Sequence, residues 1–296
     1  MLISECARKI FNGETPSDDE WSNHLISVHR LVPSMTPNAF AGFQTRAGLN
    51  SYEVLADTIG KLADQELRVL DLGCGDGHLI GYFLPQLASG SQVLGIDISD
   101  AELEIARASY REPLVSFINA KAQSLPVEDA SQDVILCHMA FVLMRPIESV
   151  VKEISRVLKP GGVFSAVTGN PRSRQVFWGE VQGFIFEFID SRFPKVREAN
   201  WSDGRVNTED GLKTLFSKQL EFSQKIERED IELQIEGSPE NVWQITKDMY
   251  LTGMLPVEQK RELEIALKSF VEKHPLVSKG QSFGFPLSKF TVTSNK

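Results

Sequence analysis

The sequence predicts an α/β fold: a mostly parallel sheet with helices on both faces. Three observations predict it. Between residues 67 and 168, short apolar runs alternate with amphipathic helical stretches, the pattern of strands joined by crossover helices. The runs LRVLDL, QVLGID and QDVILCH are almost continuously apolar, as strands buried on both faces are. The first run leads straight into DLGCGDG, with three glycines in five residues. There the chain either turns tightly or lets a ligand reach its backbone.

Each element follows in order. Residues 1–60 carry only helical pattern and are expected to form an N-terminal lid. Asp18 or Asp19 can cap a helix through Trp21, Leu25, Val28 and Val32, which Pro33 and Pro37 then break. A second helix starts at Asn50 or Ser51 and turns Val54, Leu55 and Ile59 to one side. Residues 61–170 form the expected core. Strand LRVLDL is followed by the glycine turn, the helix HLIGYFLPQLA and strand QVLGID. Ser99 or Asp100 caps AELEIARASY, then come strands VSFINA and QDVILCHM. The amphipathic helix IESVVKEISRVL is closed by KPGG, and VFSAVTG is the fifth strand. An aromatic-rich helix, QVFWGEVQGFIFEFIDSRF, marks residues 171–220 as a helical cap insertion. Residues 221–296 complete the sheet and its flanking helices. EFSQKIEREDIELQIEG reads as one or two strands, and SFGFPLSKFTVTS as a last strand antiparallel to its neighbours.

Composition narrows the function. Apolar residues make up 42% of the 296, enough for a sizeable core. The net charge is −9 and no basic run exceeds a couple of residues, which excludes a nucleic-acid backbone as the expected partner. No apolar run reaches the length of a membrane span. Cys6, Cys74 and Cys137 match no disulfide or metal spacing, and the first residues lack a signal-peptide layout, so a cytoplasmic protein is expected. His24 and His29 are not at ligand spacing on one helix face, and with His78 and His274 they form no cluster, so no metal is expected. No feature reports an oligomeric state.

The glycine loop indicates the kind of ligand. Gly73 and Gly75 permit close backbone approach, and Gly77 lets the next helix start against the ligand with its free N–H groups. The spacing is G-x-G-x-G, and His78 stands where a dinucleotide fingerprint has its third glycine, which disfavours a pyrophosphate. Asp71 precedes the loop. Asp97 ends the second strand 20 residues after Gly77. A carboxylate there accepts both hydroxyl hydrogens of a ribose and repels a 2′-phosphate.

Taken in order, VLDLGCGDG, GIDIS, NAKAQSLPVEDASQDVILCHM and EISRVLKPGGVF resemble the successive motifs of class I S-adenosylmethionine-dependent methyltransferases. They are most similar to small-molecule enzymes of the ubiquinone and menaquinone biosynthesis type. The likeness covers about residues 67–168. It implies a Rossmann-like core and S-adenosyl-L-methionine as cofactor. It further implies that Asp71, Gly73, Cys74, Gly75 and Gly77 hold the methionine part, chiefly through backbone; with no electropositive setting in the sequence to activate its thiol, Cys74 itself reads as a small filler. Asp97 would bind the ribose, Ile98 would pack on the adenine, and Ala122 and Gln123 would lie at the adenine edge. Lys121 stands where many members carry an acidic residue, so Gln123 or a backbone carbonyl must meet the adenine amino group.

The fourth strand ends at His138, which in this family faces the sulfonium methyl. His138, Met139 and Phe141 are therefore the nearest acceptor-site candidates. His138 can act as general base or merely position the substrate, since a sulfonium displacement proceeds by alignment alone. Members commonly cover the site with the segments before the sheet and after the fifth strand. Phe40, Phe43, Tyr52, Phe177, Trp178, Phe184 and Phe188 are candidates for an aromatic pocket, with ordinary core packing as the plainer reading. Arg46, Arg172 and Arg174 could pair with an acceptor carboxylate. The expected function is methyl transfer to a small-molecule acceptor, a metabolite or natural-product intermediate with an O, N or C nucleophile. Three other readings stand beside it: intramolecular consumption of the cofactor with release of methylthioadenosine, non-catalytic cofactor binding, and protein methylation.

Overall fold

The computed structural model describes residues 4–62, 64–170, 176–217 and 222–294. The chain begins with helices α1 (Glu5–Phe11), α2 (Asp18–Leu31), α3 (Met35–Phe40) and α4 (Ser51–Gly60). The α2 cap is Ser17, not Asp18 or Asp19. Its hydroxyl accepts the Glu20 N–H, and the Glu20 carboxylate accepts the Ser17 N–H in return. That reciprocal pair satisfies two helix-end donors, which a lone aspartate does not. Asn50 and Glu53 form the same box at the start of α4.

The core then runs β1 (Arg68–Leu72), α5 (Ile80–Phe83), β2 (Gln92–Asp97), α6 (Asp100–Ser109), β3 (Val115–Asn119), β4 (Gln132–His138), α7 (Ile147–Val157) and β5 (Leu158–Gly169). The long helix expected after the glycine loop is a single turn, followed by a 3-10 turn over Leu84–Gln86. Pro85 has no N–H, and its ring collides with the carbonyl four residues back, so the α-helix stops. KPGG does not lie outside the fifth strand. β5 begins at Leu158 opposite Gln132, and the register shifts before Val134 pairs with Val163. The two glycines therefore sit in a bulge, with Gly161 in the left-handed region.

Beyond β5 lie α8 (Val176–Arg192), α9 (Glu209–Ser217), β6 (Phe222–Glu236), α10 (Pro239–Thr246), α11 (Tyr250–Met254), α12 (Val257–Glu272), α13 (Pro275–Ser278) and β7 (Ser282–Ser294). The sheet has seven strands in the order β3-β2-β1-β4-β5-β7-β6. The first five are parallel, β7 runs antiparallel to β5, and β6 antiparallel to β7. Alternate strand residues feed two cores. Leu70, Ile135, Phe164 and Phe290 face α7 and α9 residues such as Val150, Ile154 and Phe216. Val69, Val134, Leu136 and Leu287 belong to the cluster that contains Ile10, Leu55, Val181 and Leu267 from the helices of the other face. The order reverses beside β1. The carboxyl ends of β1, β2 and β4 meet there, the place where open sheets of this kind bind ligands.

Candidate active site

The glycine loop is built by two packing demands and one opening. Gly73, Gly75 and Gly77 all have positive φ, at 72°, 53° and 79°. A Cβ on Gly73 would lie 2.6 Å from the Ala140 Cβ, and one on Gly77 would lie 2.9 Å from the Tyr110 ring. A Cβ on Gly75 would meet nothing within 4 Å. The Tyr110 hydroxyl also donates to the Gly77 carbonyl at 3.0 Å. Gly77→Ala combines a left-handed backbone with a clash, so it should destabilise the fold by about 2–4 kcal/mol. Urea unfolding checks this, and wild-type stability in the variant would show that the loop relaxes freely.

Two adjoining cavities flank the loop. The first has a floor of Leu72, Ile96, Asp97 and Ile98, and an edge of Ala120, Ala122 and Gln123. Its cover is one face of α2, with Trp21, Leu25 and His29, and its far wall is Leu143, Met144 and Arg145. The second is lined by Asp71, Cys74, Gly75, Asp76 and His78, by His138 and Met139 from the end of β4, and by Tyr52 of α4. Ser34, Met35, Thr36 and Pro37 close it from above. Gly73, Asp97, His29, Ala140 and Leu143 border both cavities.

The carboxylates carry the electrostatics. Asp97 Oδ2 accepts the Gly75 N–H at 2.9 Å, and Oδ1 accepts the Ser99 N–H at 2.8 Å. Burial pushes its carboxyl up, against the lowering effect of those two bonds. Asp71 is 1% exposed, and its Oδ2 has no partner among the described residues. Burial, helped by the charges of Asp97 and Asp76, pushes it up to about 8. His138 Nε2 lies 2.9 Å from Ser51 Oγ, and its ring stacks on Tyr52 with centroids 3.7 Å apart. Burial, then the charge of His78, pulls its pKa down to about 3, and its buried Nδ1 has no partner among the described residues. Met139 lines the second cavity at φ 58°, in the left-handed region that is costly for any residue with a side chain.

Most of the cofactor candidates come together here. Asp71, Gly73, Cys74, Gly75, Asp97, Ile98, Ala122, Gln123 and His138 all line one or both cavities, and so do Met139 and Tyr52. Gly77 shapes the loop without lining either. The other aromatic candidates line neither cavity, because each packs in or against the hydrophobic cores. Phe141 is fully buried against Phe164. Phe177 packs edge-on to Phe283, and Trp178 packs on Phe285, joining α8 to β7. Phe43 is partly buried against the helical-face core. Phe40 meets Phe285, Phe184 stacks on Phe270, and Arg192 covers Phe188. Arg46 is exposed near Glu232. Arg172 and Arg174 lie outside the described residues.

Lys121 points away from the first cavity and pairs with Asp19 of α2 at 2.8 Å. Gln123 donates its amide N–H to the Arg145 carbonyl. Trp21, Leu25, His29, Arg145 and Glu102 were not singled out as site residues from the sequence. The first three were visible in principle, since residues 21, 25 and 29 recur at the four-residue spacing of one helix face. Trp21 is 2% exposed and donates to the Leu143 carbonyl at 2.7 Å.

These residues fit a cofactor with a ribosyl adenine at one end and an amino acid at the other. Asp97 stands where the cavities join, Asp71 offers a buried unpartnered oxygen, and Gly75 leaves room for close approach. Among the described residues no helix is long and apolar enough to cross a membrane, and no group of three metal-ligating side chains occurs.

A family model described as a methyltransferase domain matches residues 70–166. An uncharacterized methyltransferase of Synechocystis is 34% identical over 167 residues, covering 56% of this chain and 73% of that protein. A demethylmenaquinone methyltransferase of Lactococcus lactis is 35% identical over 111 residues, covering 36% of this chain and 44% of that protein. The chain thus spans about half the length of the relatives whose acceptors are named. The solved [4+2]-cyclase SpnF aligns with a TM-score of 0.57 at 18% identity, covering 94% of this chain and 97% of that one, and at that identity the likeness shows the fold alone. The strand order, the left-handed glycine loop and a relative matched over nearly three quarters of its length agree: the chain belongs to the class I S-adenosylmethionine-dependent methyltransferases.

Proposed function

We propose that this methyltransferase acts on a small, uncharged acceptor held in the second cavity through an O, N or C nucleophile. The observation that carries this reading is the lining of that cavity. It combines Tyr52, His138, Met139, Met35 and Pro37 with carboxylates, and it includes no lysine or arginine among the described residues. A carboxylate or phosphate acceptor would find no lysine or arginine there, and the His29 ring at its border is already taken by Glu102. A net charge of −9 equally disfavours a nucleic-acid acceptor. Buried free Cys6, Cys74 and Cys137 fit a reducing, cytoplasmic setting.

When bound, the cofactor supplies a methyl group on a sulfonium that leaves as a neutral thioether. The chain's residues then have separate tasks. Asp97 accepts ribose hydroxyls while the Gly75 and Ser99 N–H groups hold its two oxygens in place. Asp71 meets the ammonium and becomes ionised by doing so. Ile98, Leu72, Leu25 and Trp21, which line the first cavity, would enclose the adenine. The Gln123 amide nitrogen is engaged by Arg145, so its carbonyl oxygen is the side that meets the adenine amino group. Tyr52, Met139 and the residues at 35–37 exclude water and align the nucleophile.

His138 orients the substrate rather than taking its proton. A ring this hard to protonate is a weak base at neutral pH. If Nε2–H donates to Ser51, Nδ1 is left to accept the hydrogen of the incoming hydroxyl or amine. His138→Ala should therefore raise the acceptor Michaelis constant about tenfold and leave turnover within about threefold. A turnover loss of about 10²-fold or more with unchanged cofactor affinity would make it the base. The reaction itself is tested by incubating the enzyme and cofactor with a panel of quinols, phenols and amines. S-adenosylhomocysteine formation that depends on the acceptor supports methyl transfer. Methylthioadenosine formed without any acceptor would overturn it in favour of intramolecular chemistry.

A further inference from the structure

The first turn of α6 carries a carboxylate with no evident reason to be buried. Glu102 is 1% exposed, yet it lies on a helix whose neighbouring Asp100 and Ile105 face solvent. Its partners all come from the N-terminal lid. Glu102 Oε1 lies 2.8 Å from His29 Nδ1, and the Ser34 N–H donates to both carboxylate oxygens, at 3.0 and 3.2 Å. Ser34 is the elbow between α2 and α3, and it is held in the left-handed region at φ 56°. That is an unfavourable conformation for a residue with a side chain unless a bond fixes it.

One turn of α6 therefore anchors two things. Its Ser99 N–H holds Asp97, and its Glu102 holds the lid. We propose that Glu102 is a positioning residue that latches the α2–α3 elbow onto α6, setting α2 over the adenosine cavity and residues 35–37 over the acceptor cavity. Cofactor exchange then requires the Glu102 bonds to open. The proposal rests on the placement of the cofactor described above.

The charges around His29 support an ionic latch. Burial would lower the ring's pKa, but the bond to Glu102 and the charges of Asp97 and Glu102 outweigh that and raise it. Those carboxylates face the ring from α6 and from the end of β2. On α1, the other helix packed on α2, Glu5 and Arg8 pair with each other, and Lys9 pairs with Glu20 at the opposite end of α2. When protonated, His29 lies against Glu102 and beside Asp97. As pH rises through the raised value, the ring loses its charge and the latch weakens.

The test uses the full chain with S-adenosylhomocysteine as ligand, and two readouts other than turnover. Stopped-flow displacement gives the dissociation rate, and limited proteolysis without ligand reports opening of the elbow near residues 32–34. Glu102→Ala should speed dissociation by at least about tenfold and expose the elbow to cleavage. Glu102→Gln should fall between the two, because its amide oxygen still accepts from Ser34 but cannot pair with an imidazolium. In the wild type, dissociation should quicken as pH rises above the usual imidazole range. In Glu102→Gln and His29→Gln that step should vanish, an outcome that a merely structural role does not predict. A wild-type dissociation rate in Glu102→Gln and Glu102→Ala, or a pH step that survives in His29→Gln, would overturn the latch. Should Glu102→Ala fail to fold, the Gln variants decide alone. Failure of the wild type to bind the ligand at all would instead count against the cofactor placement and remove the latch with it.

Discussion

Asp97→Ala is expected to weaken S-adenosylhomocysteine binding by about 3 kcal/mol, roughly 150-fold. The loss has two sources. The carboxylate faces both cavities, so the ribose loses its acceptor. The same two oxygens hold the Gly75 and Ser99 N–H groups, so the loop and the start of α6 also loosen. Asp97→Asn should be milder, because one amide oxygen can retain one of those bonds. Calorimetric titration separates the variants. A dissociation constant unchanged in Asp97→Ala would leave this residue as scaffold only.

Asp71→Asn should make the ligand-free protein more stable and the complex weaker. The folded-state pKa of Asp71 is about 8, against about 4 in an unfolded chain. The folded state therefore holds the extra proton between those values. Its stabilising effect is complete below pH 4 and is lost as pH rises toward 8. Asparagine removes that dependence, so at pH 8 the variant should gain about 2–5 kcal/mol over the wild type and at pH 4 almost nothing. Urea unfolding at both pH values measures the difference, and comparing the two proteins cancels the other titrating groups. Binding of an ammonium should ionise Asp71 and release a proton, which appears as a binding enthalpy that varies with buffer. That variation should be absent in Asp71→Asn. Equal wild-type and variant stability at pH 8 would mean that Asp71 is already ionised and partnered before ligand arrives.

The middle of the sheet was legible because β1 and β4 are buried on both faces and written in nearly continuous apolar residues. The cofactor loop was legible because glycine is the residue that tolerates φ of 53–79° beside a strand end. The helix after it is shorter than its apolar pattern suggests, because Pro85 ends it after one turn. The cover of the first cavity was harder to read. Trp21, Leu25 and His29 look like any apolar helix stripe until α2 is placed over Ile98, and that placement depends on contacts with residues far along the chain. Aromatic residues misled in the opposite direction. Phe177 and Trp178 have the bulk a substrate pocket needs, but β7 presents Phe283 and Phe285 to receive them. Nothing local to residues 171–192 announces that encounter.

The outermost strand, β6, has a consequence for the life of the chain in a crowded solution. Over most of its 15 residues it pairs with β7 alone, and a long free strand edge is an open template for other chains. Two devices blunt it. Glu227, Arg228, Glu229, Asp230 and Glu232 make the edge too highly charged to stack with its own copies. Further along, the Gln44 carbonyl accepts the Gln234 N–H at 2.7 Å, so a piece of the lid segment occupies part of the open ladder. A polypeptide emerging from synthesis has residues 35–46 ready long before β6 is made. The segment that covers part of this edge is therefore synthesised before the strand it covers.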